Sequence, residues 1–209
     1  MTKIIIQVKP KSQTNPNCLI FFDDGTEIEL SMDLVLKNQL TKGKVISFAS
    51  LADIISAQRL LNAKQTAYNF AAYSPRTKKQ IIDKLKKNEF SDVEIENSIK
   101  FLADFNLIND VDFAKKFIND YLLKNKAGKA KLLQLLVNKG VDRVVAENAI
   151  EDFLSEEKSF EMAILAAEKK LKLISNKSKE KQRQAVYNHL INKGFSFSEA
   201  KKVIEFVIK

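Results

Sequence analysis

Apolar residues fall at helical spacing in three stretches of this chain that share one pattern. Residues 85–99 (LKKNEFSDVEIENSI), 136–150 (LVNKGVDRVVAENAI) and 190–204 (LINKGFSFSEAKKVI) align when Phe90, Val141 and Phe195 are taken as equivalent, at spacings of 51 and 54 residues. Upstream of each stands a leucine (Leu85, Leu136, Leu190), and downstream an isoleucine (Ile99, Ile150, Ile204). Ile81/Ile82, Leu132/Leu133 and Val186/Tyr187 extend the first face. The pattern is a helical face, a tight turn and a second helical face, written three times. Self-similarity at a fixed period of this size means stacked supersecondary units.

The turn chemistry agrees. Gly140 and Gly194 follow the first helix of their copies, where a left-handed residue ends a helix at no steric cost to glycine. Glu89 holds that place in the first copy, which predicts a less regular turn or a left-handed Asn88. Ser91, Asp142 and Ser196 then supply N-caps, and Ser91–Glu94 and Ser196–Glu199 have capping-box spacing. Phe90, Val141 and Phe195 are each expected to plug the corner of a small bundle.

The first 48 residues follow a different grammar. Residues 3–9 and 18–22 read as strands, with an Asp24-Gly25 turn into 26–30; Pro10 and Pro16 bracket a connecting loop. Ser31 caps a short helix over 33–40, and Gly43 leads back to an extended 45–48. This small β-rich module, residues 1–48, is expected to pack against the next helix.

From Ser50 the period is helical. Ser50 with Asp53 starts a helix reaching Ala72, Ser74-Pro75 stops it, and Thr77 with Gln80 starts the next. Asn109 and Asp110 cap a helix carrying Phe113, Phe117 and Tyr121, and Gly128 breaks the chain before the second copy. Phe160 opens a helix with Ile164, Leu165, Ala167 and Leu171 on one side, and a polar connector over 175–183 leads to the third copy. The expected fold class is mainly α: tandem three-helix repeats in three units (49–106, 107–154 and 155–209) forming an elongated stack.

Composition narrows the function. Five Gly and three Pro leave little room for long loops, and no apolar run approaches the ~20 residues of a membrane span. The start lacks the features of a signal peptide, and the single Cys18 fits a reducing compartment; both readings expect a cytoplasmic protein. The net charge is +9, of which residues 62–209 hold +8 (28 Lys+Arg against 20 Asp+Glu). A field of that sign suits an anionic partner such as nucleic acid or a nucleoprotein surface.

Motifs for chemistry are missing. The one histidine, His189, has no serine or cysteine nucleophile placed to use it and reads as structural or surface. There is no Cys/His cluster at metal spacing and no glycine-rich phosphate loop. Asp23-Asp24 read as turn residues, and Asp110 and Asp112 as cap and first-turn carboxylates. No enzyme activity, cofactor or metal is expected. The candidate contacts are basic: Arg76, Lys78 and Lys79; Lys124, Lys126, Lys129 and Lys131; Lys177, Lys179, Lys181 and Arg183; and Lys201-Lys202. Groups like these at helix N-termini can hold phosphate. Arg76, Lys126, Lys129 and Lys131 are expected to be exposed, and Lys3, in the β-rich module, lies outside the contact set.

These residues resemble the RecX regulatory proteins of bacteria, which modulate the RecA recombinase. The resemblance covers residues 67–209. It rests on AYNFAAYSPRTKKQIIDKLKKNEF, with Tyr73-Ser74-Pro75-Arg76-Thr77 at a helix start. It continues through LINDVDFAKKFI (Leu107, Ile108, Asn109, Asp110, Phe113, Ala114), the stretch 128–136 and LINKGFSFSEAKKVI. The β-rich module is similar to an extension that some members carry. The chain departs from the family at Glu89, where a glycine is usual, and over 128–134, where lysines replace several arginines and so lose bidentate grip.

The resemblance implies a curved, monomeric, all-helical regulator lying in the groove of the RecA–DNA filament. There it opposes filament growth, strand exchange and ATP hydrolysis without chemistry of its own, and its own DNA binding is weak and sequence-independent. Two alternatives stay open. A helix-turn-helix DNA-binding protein also has two helices around a glycine turn, although the second helix of each copy lacks a basic, Asn/Gln-rich reading face. A helical scaffold without a nucleic-acid role is the other.

Overall fold

Strand periodicity gives way to helical periodicity at Ser47, and the backbone changes with it. The computed structural model describes residues 2–13 and 15–208. Among these lie four strands, β1 (Thr2–Pro10), β2 (Asn17–Phe22), β3 (Glu27–Ser31) and β4 (Val45–Ser47), and ten helices. The short α1 (Met32–Lys37) lies between β3 and β4. Then follow α2 (Phe48–Tyr73), α3 (Lys78–Lys87), α4 (Asp92–Asp104), α5 (Asp110–Lys124), α6 (Lys129–Asn138), α7 (Arg143–Phe153), α8 (Glu156–Leu173), α9 (Lys179–Asn192) and α10 (Phe197–Val207). The chain divides into two compact units, Met1–Asn69 with Leu85–Leu102, and Phe70–Lys84 with Ala103–Lys209.

In the first unit the strands form one antiparallel sheet in the order β3-β2-β1-β4. Cys18, Ile20 and Phe22 alternate inward along β2, as the two-residue period of a strand requires. Leu51 and Ile54 of α2 close this core over Ile5, Phe22, Leu30 and Ile46, so the module packs against the next helix as expected. Ser31 Oγ caps α1, which ends at Lys37 rather than 40; Gln39 takes a left-handed φ of 48° and turns the chain so that Leu40 is buried. Helix α2 starts earlier than expected. Ser50 N donates to Ser47 Oγ at 3.1 Å, so Ser47 is the cap and Ser50 lies inside the helix. Strand β4 runs straight into α2, leaving no loop from which Ser50 could cap.

The turn after α3 corrects a second expectation. Glu89 itself adopts φ 61°, where Gly140 and Gly194 have 89° and 82°. The hydrogen bonds match copy for copy: Phe90 N to Leu85 O (3.3 Å), Val141 N to Leu136 O (3.1 Å) and Phe195 N to Leu190 O (3.2 Å). The turn is as regular as its two successors, and the strain falls on a non-glycine residue.

The second unit holds two separate apolar cores, one per repeat. Phe113, Ile118, Leu122, Leu132, Leu136, Val141 and Ile150 fill α5–α7. Ala163, Ala167, Val186, Leu190, Phe195 and Val203 fill α8–α10. Leu132, Leu136 and Leu190 are fully buried; cutting any one to alanine costs roughly 2–5 kcal/mol. Helix α8 is capped by Ser155 and buries Ser159, Ala163, Ala166 and Ala167, while Leu165 is 50% exposed. Of the expected face, Ala167 is buried and Ile164 and Leu171 pack partly buried on the same core, so only Leu165 departs from it. The connector before α9 is also shorter than expected: α9 already begins at Lys179. Gln182 Nε2 donates to the carbonyls of Ser175 (3.1 Å) and Lys177 (2.9 Å), tying the loop to the helix that follows.

Candidate functional site

The starts of α3 and α6 occupy equivalent repeat positions, Thr77 matching Gly128 and Lys78 matching Lys129. Thr77 and Gln80 form a reciprocal cap: Gln80 N donates to Thr77 Oγ1 (3.1 Å) and Thr77 N to Gln80 Oε1 (3.3 Å). The buried Thr77 hydroxyl donates onward to Lys139 O at 2.7 Å. Gly128, the N-cap of α6, has no side chain to offer, and its backbone N donates to Lys193 O at 2.9 Å. Lys139 and Lys193 are the C-caps of α6 and α9. The start of one repeat's middle helix is therefore bonded to the end of the next repeat's middle helix, twice by the same rule.

Lysines surround both junctions. Lys79 lies against Gly140 and Lys131 against Gly194, so close that a Cβ on either glycine would meet the lysine stem. Lys78 and Lys79 are exposed, as is Lys124 at the end of α5. Arg76, Lys126, Lys129 and Lys131, expected to be exposed, are each half-buried. The reasons are local: the Arg76 guanidinium sits 4.5 Å over the Phe70 ring, and Lys131 covers the Gly194 turn. Arg76 Nε is buried without a hydrogen-bond partner. Lys179 is exposed in the first turn of α9. Arg183, also exposed, donates through Nη2 to Ile208 O at 2.9 Å and so ties α9 to the end of α10.

The electrostatics of these two helix starts run against the usual rule. Helices α1, α4, α5, α8, α9 and α10 carry acidic residues in their first turns; α2, α3, α6 and α7 carry none. Instead α3 opens with Lys78 and Lys79, and α6 with Lys129 and Lys131. A cation beside a helix N-terminus opposes the dipole, at about 0.3–1 kcal/mol each. One carboxylate answers at α3: Asp110 Oδ1 accepts from Lys78 N at 3.4 Å. Burial raises the Asp110 pKa above its ordinary value, against the pull of Lys78. At α6 the Lys129 charge helps to lower Glu199, whose Ser159 and Ser196 hydrogen bonds together outweigh the larger upward push of burial. The ammoniums make both starts receptive to an anion, although several first-turn amides are already taken: Lys78 N and Gln80 N by Asp110 and Thr77, and Ala130 N by Gly194 O at 3.2 Å.

Lys124 and Lys126 also border a cavity of about 430 Å³ with Lys169, Lys170, Lys193 and His189. No motif groups the last four, because α5, α8 and α9 bring them together only in three dimensions. Among the described residues no group of three or more His, Cys, Asp or Glu is placed to hold a metal, and no helix is long and apolar enough to cross a membrane.

Comparison with known proteins fixes the lineage. The family model of the RecX first three-helix domain matches residues 63–102, and that of the third three-helix domain matches 156–204. The regulatory protein RecX of Clostridioides difficile (strain 630) is 31% identical over 201 residues, spanning 96% of this chain and 94% of that protein. The chain belongs to the RecX family. The RecX of Listeria welshimeri is 32% identical over 96% of this chain and 73% of its own length. A crystal structure of a regulatory protein RecX superposes with a TM-score of 0.78 at 22% identity, covering 97% of this chain and 99% of that one. The RecX of Lactobacillus salivarius gives 0.66 at 26% identity over 72% of this chain and 97% of that one. The third-domain match runs from the first residue of α8 into α10, so the periodicity read from the sequence is the RecX three-helix repeat.

Proposed function

We propose that this RecX-family chain is a non-enzymatic regulator that binds the RecA–DNA filament and inhibits its recombinase and ATPase activities. It acts as a cytoplasmic monomer, binds DNA alone weakly and without sequence preference, and contacts the filament through the starts of α3 and α6. The observation that carries this reading is the repeated placement of lysines, without first-turn acids, at Lys78/Lys79 and Lys129/Lys131. Such sites cost stability in the free protein and gain when an anionic surface approaches. Arg76, Lys124, Lys126, Lys179 and Arg183 extend the basic surface.

The helix-turn-helix alternative is weaker because α4, α7 and α10 would be the reading helices. Their sequences (DVEIENSIKFLAD, RVVAENAIEDF, FSEAKKVIEFV) offer few side chains suited to base edges. The test is RecA ATP hydrolysis on single-stranded DNA at rising concentrations of this chain, with co-sedimentation of the filament. Progressive inhibition and co-sedimentation are expected; unchanged hydrolysis with no co-sedimentation overturns the proposal.

A further inference from the structure

We propose that the cavity between α5, α8 and α9 is a phosphate-binding site that takes the backbone phosphates of a single-stranded nucleic acid. The inference rests on the reading above, in which nucleic acid is part of the target, and assigns its contact to a place separate from the α3 and α6 starts.

Five ammonium groups border this one volume of about 430 Å³: Lys124 at the end of α5 and Lys126 just beyond it, Lys169 and Lys170 on α8, and Lys193 after α9. Among the described residues no carboxylate lines it, and none of the five lysines is in an ion pair. A plain structural reading is that lysines gather where helices end, since α5, α8 and α9 all finish nearby with basic last turns. That accounts for only part of the charge. Each helix C-terminus supplies roughly half a negative charge, so three ends leave most of five ammoniums unbalanced. An anion completes the balance.

Lysine binds phosphate oxygens as a point charge, and the arginine fork would serve carboxylate and phosphate alike, so the apolar wall beside the lysines is what favours a nucleic acid over an acidic peptide. Leu165 and Leu173, 50% and 75% exposed, supply an apolar wall on the same cavity against which a sugar or base can lie.

His189 gives the site a built-in reporter. It is half-buried on the cavity wall, and burial, followed by the charges of Lys193 and Lys170, lowers its pKa from 6.5. Five lysines line the same cavity, and of these Lys193 and Lys170 act on the imidazole, so a bound anion offsets the field that disfavours imidazolium, and the His189 pKa rises. As this is the chain's single histidine, its ring resonances need no sorting from others.

The experiment follows the His189 pKa by NMR in the full chain while adding a short oligothymidylate, inorganic phosphate or poly-glutamate. The oligothymidylate is expected to raise the pKa at concentrations where the other two have little effect. Lys124→Gln/Lys170→Gln/Lys193→Gln should abolish the rise and make the log–log salt slope of binding shallower by about 2, at roughly 0.7 per phosphate contact. Lys42→Gln, exposed on the β-rich module, should leave both unchanged. No shift with oligothymidylate, or a shift that survives the triple substitution, overturns the site. An equal response to poly-glutamate makes it an acidic-protein site, and an equal response to phosphate makes it a free-anion site; either contradicts the proposal. If the triple variant does not fold, the wild-type titrations still decide. RecA is absent throughout, so a chain that shows the response yet fails to inhibit RecA keeps the cavity and loses the proposed function.

Discussion

Gly128 and Gly194 meet backbone to backbone: a Cβ on Gly128 would stand 2.2 Å from Gly194 O and 2.5 Å from Phe195 N. The contact joins the start of α6 to the turn after α9, where Gly128 N donates to Lys193 O. One repeat earlier, the Thr77 hydroxyl makes the equivalent bond to Lys139 O. The repeats are thus coupled through helix ends, and a residue with no side chain is required at one of the two joints.

Gly128→Ala therefore forces backbone apart. Overpacking typically costs about 1–3 kcal/mol, and here the obstructing atoms belong to the main chain. Denaturant unfolding should place Gly128→Ala well below wild type. Gly43→Ala is the comparison, since it meets nothing within 4 Å and suffers only from its φ of +86°. If Gly128→Ala is the milder of the two, the backbone contact does not exist in solution.

Glu89 sits at φ 61° in a turn whose other two copies use glycine. A left-handed backbone costs a residue with a Cβ roughly 1–2 kcal/mol, part of which returns as lost chain entropy when glycine replaces it. Glu89→Gly should raise stability by up to about 1 kcal/mol in the same assay. A loss of stability would mean that the Glu89 side chain does more for the turn than its backbone strain removes.

Lys3 is a structural residue. Its ammonium pairs with Asp24 at 2.6 Å, donates to Thr26 Oγ1 at 2.6 Å and lies 5.2 Å over the Phe22 ring. The Lys3 hydrogen bond, then those from Thr26, lower the Asp24 pKa from 3.8 to about 2. The folded value is depressed, so the contribution to stability is complete above 3.8 and is lost as pH falls through about 2. In Lys3→Gln the Asp24 pKa, read by carboxyl NMR, should climb toward 3.8, and the acid side of the stability profile should flatten. An unmoved Asp24 would show that Thr26 alone holds it. Lys42, exposed on the same module, is the better neutral control.

The fold was legible wherever apolar side chains set the period. Leu85, Leu136 and Leu190 are each fully buried, and the caps at Ser91, Asn109, Asp142 and Ser196 lie where their spacing put them. Legibility failed where contact rather than hydrophobicity decides. On α8 the small alanines are buried and Leu165 is left out. Arg59 carried no motif, yet its guanidinium pairs with Glu94 at 2.8 Å and donates to Glu89 O at 3.1 Å, securing the first turn. The candidate site divides the same way. The lysines of α3 and α6 are adjacent in sequence and could be named, although the half-burial of Lys131 depends on the Gly194 turn one repeat further on. Lys124, Lys170 and Lys193 share a cavity only because three helices end together.

The most direct test of the account is RecA ATP hydrolysis on single-stranded DNA with wild type, Lys78→Gln/Lys129→Gln/Lys131→Gln and Lys42→Gln side by side. The glutamine substitutions keep part of each stem over the turns, so stability should stay within about 1 kcal/mol of wild type, near the range of surface changes. The account predicts that wild type and Lys42→Gln inhibit equally while the triple variant, still fully helical, loses most of its effect; adding Arg76→Gln should deepen the loss. A triple variant that inhibits as strongly as wild type would contradict the assignment of the filament contact to the α3 and α6 starts.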